Sequence, residues 1–532
     1  MALHRPGTYV DESLLVTNTP ATDGTAFLAF VLDSPRGPIV PAKLESWSQA
    51  TSTFGQFSGN VQNDRLLQAL YMAYLNGGRT MYAVRAVGTG ALPATRSLLT
   101  TRPIVGPAVV SAPALVVSSS NPGTWGNRIY VEVAQTSAGR FNLTVRELPV
   151  GATVLTNQSV VDRINDLSLD PADPRYVVSF LTAQQSNYIS VALDPSFVFA
   201  PGDTVANSSI PGGDGLTGGN DGVPVTPAQL ITTILTLDSV DLSPLVLNLP
   251  GVTDKVVING ALAYADPDLL RVDGQPGRGD IFVIIDTDPG VTGDAAIATS
   301  VGGGAASNYV QSSYGAVYYP NLLISDPSST SAGATKLIPA GGAVAGQYAA
   351  NDASRGFFKA PAGEGTRLIG ILGLDPAATL RNPALDRLAD AQINAIKVQP
   401  GIGTIIFGAR TLKRSQVDKY VNARRTLINA RVSLTSQTGF AAFENNDSFL
   451  WDHLTSVVDS YCRQLLTAGG LKGPDPSQAY YVKCDSEINT LQTISNGEVH
   501  IEVGLALQRP AEFIVLRIGQ FDGSASVTES RS

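Results

Sequence analysis

AFLAFVL (Ala26–Leu32), DRLLQALYMAYL (Asp64–Leu75) and TMYAVRAV (Thr80–Val87) decide how this chain folds. The first is a short continuous apolar run, the pattern of a buried strand. In the second, Leu67, Leu70, Tyr71 and Tyr74 fall on one helical face, and Asn76-Gly77-Gly78 supplies the stop. The third is again strand-like. Strand, helix and strand in succession make one unit of an α/β sheet.

The same signal returns further along. Thr226–Leu235 reads as a helix with Pro227 in its first turn, and Leu245–Leu249 and Ile281–Asp286 as buried strands flanking a helical Asp254–Ala265. Leu385–Ala395 reads as helix, Thr404–Phe407 as strand, and Gln416–Ala430 and Ser448–Ala468 as two long helices. Between the two α/β stretches the pattern changes. Short β-like runs at Ile129–Ala134, Phe141–Glu147, Tyr176–Phe180 and Tyr188–Ala192, closed by PGGDGLTGGNDG (Pro211–Gly222), predict an inserted antiparallel β domain without a clear helix. Near the end, Val499, Ile501, Val503, Leu505 and Leu507 alternate with His500, Glu502, Gly504 and Ala506, as in a half-buried strand. Phe513–Ile518 reads as one more strand. The expected class is a multidomain α/β (α+β) protein. It has an extended arm over 1–20, core parts over 21–99 and 223–410, a β-rich insertion over 100–222, and a C-terminal domain over 411–532 that ends in a second arm.

Composition agrees with a large, well-packed protein. The 532 residues exceed one ordinary core, and 43% hydrophobic with 15% charged residues suits equally surfaces that become buried against other copies and a large β-rich globular protein. A net charge of −9 argues against a general nucleic-acid coat. Cys462 and Cys484 are expected to be reduced and structural, for neither a stapled scaffold nor a zinc spacing is present. The opening MALHRPGTYVDES lacks the apolar core of a secretion signal, and no apolar run reaches membrane-spanning length.

Candidate chemistry is sparse. Histidine occurs only at His4, His453 and His500, and no Gly-Lys dipeptide exists for a standard P-loop. The Asp214–Asp221 run lacks ordered calcium-ligand spacing and reads as a domain junction. Arg278-Gly279-Asp280 leads straight into a strand. Asp286, Asp288 and Asp294 follow a strand, where α/β enzymes place acidic ligands, so a metal-dependent enzyme is one alternative. No convergent nucleophile or base accompanies them, and the expected count of catalytic, cofactor and metal residues is none. One charge cluster carries weight. Arg410, Lys413, Arg414, Lys419, Arg424 and Arg425 lie within 16 residues with Asp418 the only acid among them. They form either a solvated helix face or a docking surface for an acidic partner.

The segment IPAGGAVAGQYAANDASRGFFKAPAG (Ile338–Gly363) combines small residues, turn formers and an Arg-Gly-Phe-Phe-Lys-Ala-Pro-Ala run. It resembles the signature segment of contractile tail sheath proteins. Further blocks resemble the same family in the same order. They are Pro6–Glu12, Pro122–Asn127, Ser313–Pro320, Pro400–Leu412 (with Phe407 where a Trp is usual), Phe443–Asn446 (with Asn445 where a Pro is usual) and Arg509–Ile514.

The resemblance implies a non-enzymatic virion subunit without cofactors. Its copies would stack as six-fold rings around an inner tail tube protein, between a baseplate and a tail terminator, with no direct nucleic-acid contact and no stable membrane insertion. Contraction of that sleeve would drive the tube through a cell envelope. The particle would be a phage tail or a phage-tail-like machine assembled in the bacterial host cytoplasm. Terminal arms exchanged between neighbours would complete a shared sheet, and Pro6, Gly7, Thr8, Tyr9 and Val10 are the N-terminal candidates. Phe513, Ile514, Val515 and Leu516 are those at the C-terminus. Lys413, Arg414, Lys419, Arg424 and Arg425 would then face the tube. Another virion structural protein, from a baseplate or surface, is the nearest alternative.

Overall fold

The computed structural model describes residues 27–512, except 61, 102–112, 138, 150–151, 157–158, 209–214, 241–242, 301–308, 330, 332 and 416. The chain opens with β1 (Phe27–Asp33), β2 (Ala42–Leu44), α1 (Trp47–Phe54), α2 (Arg65–Leu75) and β3 (Met81–Ala86). β1 and β3 run parallel, with Leu28 opposite Met81, as the strand-helix-strand pattern demands. Their inner residues are wholly buried because helices cover both faces.

The insertion follows. β4 (Thr95–Thr101) and β5 (Pro113–Ser119) precede a hairpin and third strand, β6 (Ile129–Ser137), β7 (Arg140–Glu147) and β8 (Val160–Ser168). Then come α3 (Val177–Gln184), β9 (Ile189–Leu193) and β10 (Thr204–Val205). They form a four-stranded sheet, β10-β4-β5-β9, and a three-stranded one, β6-β7-β8, around a core of their own. Two expectations are corrected here. Tyr176–Phe180 is not a strand but the start of α3, which buries Val177 and Leu181 one helical turn apart. So short an apolar run cannot distinguish the two periods by itself. The second core also begins earlier than residue 100, at Ala94.

The core then resumes with α4 (Pro227–Leu235), β11 (Leu245–Asn248), α5 (Lys255–Ala265), β12 (Ile281–Ile285), α6 (Gly293–Ser300) and β13 (Gly315–Tyr319). The start of α4 is fixed by a reciprocal capping box between Thr226 and Gln229, and Asp254 caps α5. A side sheet, β14 (Leu322–Ser325), β15 (Thr335–Ile338) and β16 (Ile371–Leu374), brackets the long α7 (Gly341–Arg355). After α8 (Asn382–Asp390) come β17 (Ile393–Gln399) and β18 (Gly403–Phe407). The expected helix over Leu385–Ala395 therefore ends early. Gln392 turns with φ +62°, and Ile393 and Ala395 join the sheet beside β13. The main sheet has eight strands in the order β18-β17-β13-β12-β11-β1-β3-β2, with only the two edge strands antiparallel to their neighbours.

α7 holds the centre. Eleven of its fifteen residues are buried, between the sheet and α2. Gly342, Gly346 and Ala350 face Ala69, Ala73 and Gly77 so closely that a Cβ on Gly342 or Gly346 would overlap the backbone of α2. Small residues at a spacing of four on both helices allow this approach.

The C-terminal body comprises α9 (Val421–Gln437), α10 (Ser448–Thr467), α11 (Pro476–Ala479), β19 (Tyr480–Lys483), α12 (Leu491–Ser495) and β20 (Glu502–Leu505). α9 starts five residues after the expected Gln416, because Thr411 and Lys419 pair across a loop first. β20 is shorter than the expected alternating strand. No helix among the described residues is long and apolar enough to cross a membrane.

Candidate functional site: a locked junction and an open ribbon

The positions where an α/β enzyme would hold its ligand are filled by the chain itself. The strand order reverses between the parallel neighbours β1 and β11, and at their carboxyl ends a ligand crevice would open. Arg65 lies there, its guanidinium 3.4 Å from both Asp33 Oδ1 and the Gly251 carbonyl. Asp286 is fully buried. Its carboxylate accepts from the backbone N–H of Gly341 at 2.6 Å, from that of Gly251 at 3.0 Å and from Asn248 Nδ2 at 3.2 Å. It thus anchors the N-terminus of α7, where the helix dipole favours a negative charge. Burial still pushes its carboxyl above the ordinary range, against the pull of those donors. Asp288 accepts from the Thr253 hydroxyl, and Asp294 pairs with Arg387 at 2.8 Å. The three acids are thereby dispersed into separate structural tasks. Among the described residues, no group of three His, Cys, Asp or Glu could hold a metal.

The Ile338–Gly363 segment acts as a joint. Its first half is α7, and the Phe357-Phe358 that follows packs into the C-terminal core with Val458, Cys462, Leu465 and Tyr480. Each buried Phe contributes roughly 1.5–3 kcal/mol. Asn351 Nδ2 donates to the Gly356 and Lys359 carbonyls and shapes the turn, and Asn422 Nδ2 donates to Phe358 O at 3.0 Å. The strongest tie is Arg425 of α9, which grips Asp352 of α7 with both terminal nitrogens while its guanidinium lies 4.8 Å from the Tyr348 ring. Burial works against this charge, but the Asp352 carboxylate more than offsets it, so Arg425 holds its proton more tightly than usual.

That placement corrects the basic stripe. Arg424 and Arg425, expected to face an inner tube, are 6% and 5% exposed and turn into the subunit. Arg424 meets Asp418 at 2.9 Å and lies over Tyr314. Arg410 makes two 2.8 Å bonds to Glu512, and Lys419 lies 3.7 Å from the same carboxylate. Lys413 is half-buried beside Asp418, and Arg414 is exposed. Asp418 is local, but the other two acids that neutralise the stripe, Asp352 and Glu512, come from distant parts of the chain, which a local charge count cannot see.

Two arginines that the sequence reading passed over tie the insertion to the core. Arg36 donates to Glu147 at 3.0 Å and to Ser52 O at 2.7 Å, and is sandwiched between Trp125 at 4.5 Å and Tyr188 at 4.4 Å. Arg85 donates to Pro122 O, and burial pulls its pKa down to about 10. The Pro122–Asn127 block was one signal for this contact. Nothing local marked the two arginines.

β19 and β20 form a two-stranded antiparallel ribbon, Tyr480 opposite Leu505, on the surface of α10. Among the described residues no further strand joins it. The expected arms, Pro6–Val10 and Phe513–Leu516, lie outside the described residues.

The crevice at the carboxyl ends of β1 and β11 is filled by the chain's own side chains, and no further strand joins the β19–β20 ribbon among the described residues. Known proteins share this architecture. Residues 415–521 match the family model of the phage tail sheath C-terminal domain. The structure resembles the contracted helical sheath of the anti-feeding prophage, at 20% identity over 98% of this chain and 100% of that one, with a TM-score of 0.55. It also resembles a sheath tail protein from Listeria innocua, at 14% identity over 88% of this chain and 90% of that one, with a TM-score of 0.57. A third match is the sheath of an extracellular contractile injection system in its contracted state, at 20% identity over 99% of this chain and 100% of that one, with a TM-score of 0.50. No curated protein matches in sequence. The chain shares the fold of these contractile sheath proteins, and its residues 415–521 match the phage tail sheath C-terminal domain.

Proposed function

We propose that this protein polymerises as stacked six-fold rings around an inner tube protein, between a baseplate and a terminator. Contraction of the sleeve then drives the tube through a target envelope. The observation that carries this reading is the β19–β20 ribbon. Two strands alone are marginal in water, and an unpaired edge is a template for strands from another chain. The N-terminal Pro6–Val10 and C-terminal Phe513–Leu516 segments of neighbouring copies have the length and apolar character to add to it. Flexible roots for those arms would let rigid bodies re-orient while backbone hydrogen bonds persist. The locked junction at Asp352–Arg425 suits that division, since each subunit would move as a body. Of the five basic residues expected at the tube, only Lys413, Arg414 and Lys419 retain side chains within reach of solvent.

Electron microscopy of the purified protein tests the reading. Hollow, cross-striated cylinders are expected, and a chain lacking residues 1–16 should stay as monomers or short rings. Normal long cylinders from the truncated chain would refute the arm.

A further inference from the structure

The three most exposed large apolar side chains among the described residues are Phe443 at 89%, Leu491 at 85% and Phe449 at 82%. All three lie on the C-terminal body. Phe443 also has φ +72°, the left-handed region that a bulky residue enters only at a cost. Its loop is braced on both sides. Asn446 donates from Nδ2 to Glu498 O at 2.9 Å and accepts from the Trp451 indole N–H at 2.9 Å, while Asp447 caps α10 at Phe449 and Leu450. A strained backbone that presents an aromatic ring on a rigid loop points to a binding anchor, because burial gives the ring no reason to sit there.

The segment that carries the two rings is acidic. Between Arg431 and Arg463 the chain has no Lys or Arg, while Glu444, Asp447 and Asp452 are all exposed. The other end of α9 is basic, with Lys413 and Arg414 reaching solvent and Val417 45% exposed beside them. Asp418 pairs with both Lys413 and Arg424 and so holds this end against the first turn of α9. The 17 residues of α9 separate the two patches by about 25 Å. Complementary surfaces at opposite ends of one rigid helix cannot meet within a subunit. They can meet between subunits, and such a head-to-tail contact propagates into an open helix instead of closing as a two-fold dimer.

We infer that Phe443 and Phe449, with the exposed Glu444 and Asp452 close by in sequence, dock onto the Lys413–Arg414 end of α9 in a second copy of this chain. The inference rests on the polymer reading above and names one of its contacts, separate from the arm-and-ribbon sheet. Charge complementarity sets which ends meet, and the two rings supply most of the affinity.

Two variants in a Cys484→Ser background, Glu444→Cys and Arg414→Cys, test it when mixed, assembled and treated with a short bismaleimide. A cross-linked dimer is expected from the mixture and from neither variant alone. Glu444→Arg and Arg414→Glu should each lower sedimentable polymer at least about tenfold at physiological salt, and the chain carrying both should recover it. Phe443→Ser with Phe449→Ser should abolish the polymer while the monomer's melting temperature and circular dichroism stay unchanged. Cylinders that form normally yet give no mixed cross-link overturn the contact, as do reversals that leave polymer mass unaltered. Reversals that spare tube-free polymer and weaken only binding to purified tubes would assign the patch to the tube instead. An unaltered chain that stays monomeric at every concentration would sink the polymer reading, and this contact with it.

Discussion

Asp352→Asn removes one half of the grip between α7 and α9. In the folded protein the Asp352 side chain is 0% exposed and that of Arg425 5%, so the substitution strands a guanidinium that water cannot reach. Breaking a buried pair in this way costs about 3–5 kcal/mol, whereas replacing both partners by apolar groups is often close to neutral. Asp352→Asn and Arg425→Met should each cost that amount at the junction. The double variant Asp352→Leu/Arg425→Met should lie within about 1–2 kcal/mol of the natural chain. Hydrogen exchange followed by mass spectrometry over a guanidinium series reads the opening free energy of α7 and α9 locally, which a global melt of three bodies does not. The expected signature is faster exchange across Val421–Gln437 and Gly341–Arg355 in either single variant, with most of the protection restored in the double. A single variant that changes local stability by less than about 1 kcal/mol would refute the reasoning, and so would a double whose loss equals the sum of the singles.

Three further outcomes are expected. Gly346→Leu forces a side chain into the α2 backbone at Ala73, and should cost at least about 1–3 kcal/mol in a thermal melt, whereas Gly439→Ala, with open space around it, should change little. Arg36→Ala removes an ion pair and two aromatic stacks between insertion and core, so proteolysis should release an insertion fragment near Gly88 and Val223 while the core fragment stays intact. Burial alone would raise the Glu512 pKa, but its bonds to Arg410 and the nearby Lys419 and Tyr420 hold it below the ordinary 4.5. The stabilisation it gives is therefore present above pH 4.5 and lost as pH falls through the lower folded value. Exchange over residues 505–512 should quicken on that acid limb, and Glu512→Gln should make it insensitive to pH there.

Much of the core was legible because its information is local. The apolar runs of β1, β3, β11 and β12 and the single-faced pattern of α2 carry their own period, and Thr226 and Asp254 mark helix starts by capping chemistry. α7 was not legible as the central helix. Three of its fifteen residues are glycines, and Asn351-Asp352 resembles a turn, so intrinsic propensity argues against it. It is helical because α2 and the sheet need a narrow rod between them, and because Asp286 anchors its first turn. The β8 strand was missed for a related reason. VVDRINDLS lacks clean alternation, and pairing with β7 through two register shifts makes it a strand.

What the sequence alone determined is the class of fold: the alternation of strand and helix, the interrupting β domain, and an order of blocks that resembles the sheath family. These depend on spacing between near neighbours, which the chain records directly. Only the tertiary structure decided which charges are available to a partner. Arg425 reads as a surface cation until Asp352, 73 residues earlier, closes on it, and Arg410 until Glu512 arrives from 102 residues later. Desolvation and pairing depend on distance in space, so Arg424 and Arg425 of the basic stripe became an internal lock while Lys413 and Arg414 stayed within reach of solvent.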